Sequence, residues 1–140
     1  MILFVDDERR PIMPYMEELE RSGYEVHLET SADDALNFVR SNAGRIDLIV
    51  LDIMMPYGKG FTADETEEGR RTGVHLFRRL RQENGKVPVI VFTNVSARPV
   101  EEAFAGKPAC RFLRKIDYFP FELREEVVTM LNAARSAEAL

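Results

Sequence analysis

The sequence predicts a doubly wound α/β domain, in which a parallel sheet carries helices on both faces. Five short apolar or β-branched runs alternate along the chain with segments of helical periodicity. Three of these runs are continuously apolar, as strands buried on both faces are. With 140 residues, 45% of them hydrophobic and 31% charged, the chain has the length and composition of one folded domain over residues 1–140.

The predicted strands are short and regularly spaced. They cover residues 2–5, 26–28, 46–51, 87–92 and 109–113. Strands that alternate with helices pair in parallel through right-handed crossovers, so their carboxyl ends meet at one edge of the sheet. Ligands of such sheets bind outside that edge. Functional side chains are therefore expected just after each strand.

Helical periodicity and end signals mark the segments between the strands. Gly23 is placed to end the first helix, and Ser31 with Asp34 forms an S-x-x-D start for the second. Pro120 stands at the first turn of the last helix, where a missing N–H is tolerated. The apolar positions on the five helices are Met16 and Leu19; Ala35, Leu36 and Val39; Leu76, Phe77 and Leu80; Val100, Ala103 and Phe104; and Leu123, Val127, Val128 and Leu131.

Charge and composition exclude several classes of protein. A net charge of −5 disfavours direct nucleic-acid binding, which depends on clustered Lys and Arg. The apolar runs are too short for membrane insertion or for the core of a signal peptide, so a cytoplasmic location is expected. The single cysteine, Cys110, fits a reducing compartment. His27 and His75 are too few and too far apart to form a zinc site.

Polar side chains follow four of the five predicted strands. Asp6 and Asp7 follow the first, Asp52 the third, Thr93 the fourth and Lys115 the fifth. Three carboxylates in one crevice repel one another unless a cation neutralises them. Oxygen ligands without His or Cys favour Mg²⁺, with Mn²⁺ as its substitute. The pattern therefore predicts a divalent-cation site that can act on a phosphoryl group.

This set of residues, with the run Asp52-Ile53-Met54-Met55-Pro56, resembles the receiver domain of two-component response regulators. The resemblance covers nearly the whole chain and depends on the order of the motifs. It implies a (βα)5 flavodoxin-like three-layer sandwich with strand order 2-1-3-4-5.

The resemblance also implies a role for each acid. Asp52 is the expected phosphoacceptor, whose carboxylate attacks the phosphorus of a phosphohistidine donor. Asp7 and Asp52 are expected to bind Mg²⁺ directly, Asp6 largely through water, and Met54 through its backbone carbonyl. The expected donor is a histidine kinase or a histidine phosphotransfer protein. The resemblance implies a protein that catalyses only its own phosphorylation and dephosphorylation and is not otherwise an enzyme.

Three further residues take roles from the same resemblance. Thr93 and Lys115 are expected to contact phosphoryl oxygens, and Phe112 is expected to move with Thr93. The surface formed by the fourth helix, the fifth strand and the fifth helix is then the output surface. The chain ends soon after the last helix, so a stand-alone receiver that acts on another protein is expected. A monomer and a phosphorylation-dependent dimer remain equally open.

Three features depart from the family pattern. About ten extra residues, placed at 57–72, form an inserted loop that is either a solvated loop or a partner-binding lid. Ile116 follows Lys115 where the family has a proline, so the bond between them is open to either isomer. Asn94 is larger than the small residue found next to the switch threonine in the family.

Two other functional classes are alternatives to the phospho-accepting switch. A haloacid-dehalogenase-type enzyme also forms an aspartyl phosphate, but it requires a second acid two residues after the nucleophile, where this chain has Met54. That class of enzyme also carries its nucleophile on the first strand, whereas Asp52 follows the third predicted strand. A receiver-like interaction module that works without phosphate is the alternative, favoured by Asn94, Ile116 and the inserted loop.

Overall fold

Five parallel strands form one sheet in the computed structural model of this chain, which describes residues 1–56, 58–66, 69–95 and 98–138. The strands pair in the order β2-β1-β3-β4-β5, which confirms the predicted doubly wound sheet. They are β1 (Ile2–Val5), β2 (Val26–Glu29), β3 (Leu48–Leu51), β4 (Val89–Thr93) and β5 (Cys110–Arg114).

Five helices lie on the two faces of the sheet. They are α1 (Arg9–Arg21), α2 (Ala32–Ser41), α3 (Thr72–Glu83), α4 (Arg98–Phe104) and α5 (Pro120–Glu138). None of the helices in the described part of the chain has both the length and the apolarity that a membrane span requires.

Two apolar clusters hold the three layers together. One cluster joins one face of the sheet to α2, α3 and α4, and the other joins the opposite face to α1 and α5. Alternate residues of each central strand enter alternate clusters, so Ile49 and Leu51 pack on one side and Leu48 and Val50 on the other. Burial on both faces explains why β1, β3 and β4 are apolar throughout.

The bounds of β1 are as predicted, and those of the other four strands differ from the predicted ones by one or two residues. Ala109 has a φ of +52°, which is incompatible with a strand, so β5 begins one residue later than predicted. The fourth strand begins after Pro88, which has no N–H to donate and offers its carbonyl to Ile49 instead.

The predicted helix ends are confirmed at three positions. Ser31 caps α2 by accepting a hydrogen bond from the Asp34 backbone N–H at 3.1 Å. Gly23 follows α1 with a φ of +94°, a left-handed conformation that suits glycine. Pro120 is the first residue of α5. A second proline, Pro14, lies inside α1, where it removes one helical donor.

The inserted loop leads from β3 into α3. Tyr57, Glu67 and Glu68 of this loop lie outside the described residues. The loop ends where Thr72 and Gly73 begin α3 directly against the end of β3. A Cβ atom on Gly73 would lie 2.2 Å from the Asp52 carbonyl oxygen. Only glycine fits there, because the nearest atoms belong to backbone that cannot rotate away.

We expect Gly73→Ala to lower the free energy of unfolding by about 2 kcal/mol or more, because the added methyl group overpacks a rigid contact. Urea denaturation of the full chain measures the change. Gly85→Ala is the matched control, since its Cβ would meet its nearest neighbour, the Arg81 carbonyl oxygen, at an ordinary 3.7 Å. The control should change stability by less than about 0.5 kcal/mol. Equal effects of the two substitutions would contradict this account.

Candidate functional site

The candidate site lies at the carboxyl edge of the central strands. Val5 and Leu51 are register partners at the ends of β1 and β3, so the residues that follow them emerge side by side. The backbone N–H of Asp52 donates to the Val5 carbonyl at 2.9 Å, which continues the pairing by one residue. This extension fixes Asp52 beside Asp6 without any side-chain contact.

Three carboxylates converge at this edge. Asp6, Asp7 and Asp52 each offer an oxygen, and these oxygens all lie within 4.8 Å of one another. Asp6 and Asp52 are buried, with 2% and 8% of their surface exposed, whereas Asp7 is exposed. Burial raises the pKa of Asp6 and of Asp7, and the nearby charge of Asp52 raises both further. The fold therefore holds three mutually repelling carboxylates close together.

Lys115 is the cation that the fold supplies to this cluster. Its Nζ lies 2.6 Å from Asp6 Oδ2 and 3.2 Å from Asp52 Oδ2. Burial tends to lower the pKa of Lys115, but the charges of Asp52 and Asp6 outweigh it, and the pKa is raised overall. The ammonium group therefore stays charged and bridges the two buried acids.

Backbone donors hold the remaining oxygens of these two acids. Asp52 Oδ1 accepts from the Ile53 N–H at 2.7 Å, and Asp6 Oδ1 accepts from the Glu8 N–H at 2.9 Å. Each buried carboxylate is thus fixed by one backbone N–H and by Lys115. The orientation of both groups is set before any ligand arrives.

The charge balance of the cluster favours a divalent cation. Three carboxylates against one ammonium leave two negative charges uncompensated. All the donors are oxygens, which are the ligands that Mg²⁺ prefers. The exposed side of the cluster leaves room for the several waters that a bound Mg²⁺ keeps. The residues present therefore fit such an ion.

The other predicted site residues lie around the cluster. Thr93 is fully buried at the end of β4, and its Oγ1 accepts from the Val95 N–H at 3.3 Å. Phe112 packs in the cluster of α2, α3 and α4, with its ring centroid 6.0 Å from that of Phe104. Met54 follows β3, and 51% of its surface is exposed.

The peptide bond after Lys115 is trans, like every other described peptide bond. Lys115, Ile116 and Asp117 form one turn of 3₁₀-helix between β5 and α5. The lysine reaches the carboxylates in this geometry, so no proline is needed at position 116 to place it.

Sequence reasoning missed a hydrogen bond that steadies this turn. The Tyr15 hydroxyl, on α1, donates to the Tyr118 carbonyl at 2.6 Å and so ties α1 to the loop that carries Lys115. Burial raises the pKa of Tyr15, which keeps its hydroxyl protonated as a donor. The two residues are 103 positions apart, and no local pattern signals their contact.

The same arrangement of elements is found in known proteins. The sequence model described as the response regulator receiver domain matches residues 2–66. This chain belongs to that family. The match confirms the family predicted from the residues at the strand ends. The receiver domains of two-component systems are signalling modules.

Curated relatives support the assignment. The chain is 32% identical over 92 residues to the alkaline phosphatase synthesis transcriptional regulatory protein PhoP of Bacillus subtilis, covering 66% of this chain and 32% of that protein. It is also 32% identical over 133 residues to the sensor kinase CckA of Brucella abortus, covering 92% of this chain and 12% of that protein. The receiver therefore spans half or less of the length of the curated relatives that it matches.

Solved structures share the fold. A CheY-like response regulator receiver domain from Methanospirillum hungatei superimposes with a TM-score of 0.78 over 97% of this chain and 96% of that one. The two sequences are only 19% identical, so this likeness concerns the fold alone. It confirms the predicted strand order 2-1-3-4-5.

We expect Lys115→Met to lower the free energy of unfolding by about 3 kcal/mol at neutral pH, because it leaves two buried carboxylates without their cation. The loss should shrink as the pH falls, because Asp6, whose pKa is already raised, takes up a proton more readily and then no longer needs a partner. Urea denaturation at neutral and at acidic pH measures both effects. Lys107→Met, at an exposed lysine, is the control. A loss that is the same at both pH values would contradict the electrostatic explanation.

Proposed function

We propose that this receiver accepts a phosphoryl group on Asp52 in a Mg²⁺-dependent reaction and thereby switches a protein-interaction surface. The donor is a histidine kinase or a histidine phosphotransfer protein, and residues 1–140 act as one receiver domain in the cytoplasm. The observation that carries the proposal is the convergence of Asp6, Asp7 and Asp52 within 4.8 Å, bridged by Lys115.

The chemistry follows from the carboxylate of Asp52. One of its oxygens attacks the phosphorus, the new O–P bond forms, and the P–N bond to the donor histidine breaks with its electron pair returning to the imidazole. Asp6, Asp7, Asp52 and the Met54 carbonyl would hold Mg²⁺, which neutralises the charge of the incoming phosphoryl oxygens.

Lys115 is placed to stay at the site after transfer. It lies closer to Asp6 Oδ2, at 2.6 Å, than to Asp52 Oδ2, at 3.2 Å. Formation of the acyl phosphate replaces the carboxylate charge of Asp52 with charged phosphoryl oxygens, and Lys115 can then pair with one of them while Asp6 still holds it. Lys115 thus stabilises the phosphorylated form more than a surface lysine would.

The switch runs from Thr93 to Phe112. Val91 and Phe112 are register partners in β4 and β5, and Thr93 lies on the same face of the sheet as Val91 because side chains alternate. A hydrogen bond from Thr93 to the phosphoryl group opens space toward Phe112 and changes the surface formed by α4, β5 and α5. The partner at this output surface is another protein, and dimer formation is one form that the output can take.

Incubation with acetyl phosphate and Mg²⁺, followed by intact-mass measurement, tests the proposal. We expect the parent chain to gain one phosphate and Asp52→Asn to gain none, because the amide cannot form the acyl phosphate. Asp64→Asn is the control, since Asp64 is an exposed acid of the inserted loop. Labelling of Asp52→Asn to the parent level would refute the assignment. An unlabelled parent chain would favour the module that signals without phosphate.

An exposed apolar patch beside Lys115 is the proposed docking site for the phosphodonor. It consists of Ile116, Phe119 and Phe121, whose exposed fractions are 76%, 69% and 49%. The rings of Phe119 and Phe121 are nearly parallel, with centroids 6.3 Å apart. Exposed apolar side chains clustered in this way mark protein interaction sites. Aromatic side chains are also enriched among the residues that contribute most to binding.

We expect Phe119→Ala to slow phosphoryl transfer from a phosphohistidine phosphotransfer protein by about tenfold, because it removes an aromatic anchor from the docking patch. Transfer rates from that protein and from acetyl phosphate are measured side by side. The small donor needs no docking surface and should label both chains at the same rate. Equal slowing with both donors would show that Phe119 acts on the chemistry and not on docking.

A further inference from the structure

The backbone that follows the acceptor is bonded at three successive peptide groups to the end of the inserted loop. The Gly73 N–H donates to the Ile53 carbonyl at 2.8 Å, and the Met55 N–H donates to the Gly69 carbonyl at 3.1 Å. The Thr72 hydroxyl donates to the Met55 carbonyl at 2.6 Å. These three hydrogen bonds are called the clamp below.

The clamp requires close approach of the two backbones. Gly69 has a φ of +93°, and a Cβ atom there would lie 2.9 Å from the Met55 carbonyl oxygen. Thr72 is fully buried, and its hydroxyl lies closer to the Met55 oxygen than to the Gly69 oxygen, which is 3.3 Å away. The main bond of the Thr72 side chain therefore goes to the segment after the acceptor.

The far side of the inserted loop is fixed as well. The two carboxylate oxygens of Asp33, at the start of α2, accept hydrogen bonds from the Lys59 and Gly60 N–H groups at 2.6 and 2.9 Å. Phe61 is buried, and the Arg79 guanidinium lies over its ring at 4.3 Å. The described part of the loop is thus docked on α2 and α3.

The middle bond of the clamp orients the Met54 carbonyl. The Met54 C=O and the Met55 N–H belong to one planar trans peptide group, so they point in opposite directions. Because the Met55 N–H points to Gly69, the Met54 oxygen points away from the inserted loop. The bonds at Ile53 and Met55 restrain the peptide groups on either side and prevent this one from rotating.

We infer that Thr72 is a positioning residue for the cation site, and that it acts by holding the Met54 carbonyl in the orientation of a ligand. The inference rests on the proposed function, in which that carbonyl binds Mg²⁺. Groups that orient a ligand through a hydrogen bond change metal affinity by about 10- to 100-fold when they are removed. The end of the inserted loop then contributes to the phosphorylation site by positioning one of its ligands.

Titration of the full chain with Mn²⁺, followed by electron paramagnetic resonance of the free ion, tests the inference without any phosphoryl transfer. Thr72→Val keeps the shape of the side chain and removes the donor, and we expect it to weaken Mn²⁺ binding by about tenfold. Thr72→Ser keeps the hydroxyl and should bind within about threefold of the parent chain. If Thr72→Val does not fold, Thr72→Ala compared with Thr72→Ser makes the same test.

Ser31→Ala is the control for a merely structural effect. The Ser31 side chain accepts the capping hydrogen bond of α2 from the Asp34 N–H at 3.1 Å, outside the clamp. Thermal unfolding in the presence of a chelator measures the stability that each variant loses. We expect Ser31→Ala to lose about 1 kcal/mol of stability and to keep Mn²⁺ affinity within about threefold of the parent chain, since its hydroxyl forms no hydrogen bond of the clamp.

Two results would overturn the inference. One is unchanged Mn²⁺ affinity in folded Thr72→Val, and the other is equal weakening in Ser31→Ala. Asp7→Asn separates this failure from failure of the proposed function. If Asp7→Asn weakens Mn²⁺ binding and Thr72→Val does not, only the role of Thr72 is wrong. If Asp7→Asn leaves binding unchanged, or the parent chain binds no Mn²⁺, the proposed cation site itself fails.

Discussion

The repulsion among three acids at one sheet edge is the constraint on which the site depends. Parallel pairing of β1 and β3 forces Asp6 and Asp52 side by side, and burial deprives Asp6 of solvent that would screen its charge. Lys115 offsets part of this cost through two ion pairs, and the remainder favours any cation that enters. The same arrangement that destabilises the site therefore favours a divalent cation among its carboxylates.

Much of the fold could be predicted because its signals are local. A strand buried on both faces is apolar at every position, so β1, β3 and β4 were visible as continuous runs. The boundaries were less visible, because they depend on backbone conformation. Ala109 is an ordinary strand residue by composition, and only its positive φ excludes it from β5.

The site could be predicted as far as it follows from strand ends. Asp6, Asp7, Asp52 and Lys115 were all placed by that rule, and the structure brings the four together. The contacts that steady them could not be predicted. Tyr15 reaches the Tyr118 carbonyl across 103 positions, and such through-space bonds to backbone atoms leave no periodicity and no motif in the sequence.

The loop between β3 and α3 packs next to the charged site and contributes contacts to it. The two ends of the loop lie close together, because the Met55 N–H donates to the Gly69 carbonyl. Each doubling of loop length costs only about 0.6 kcal/mol of closure entropy. The hydrogen bonds that Asp33 accepts from the loop backbone and the burial of Phe61 can offset that cost, so the loop adds contacts to residues 53–55 with little loss of stability.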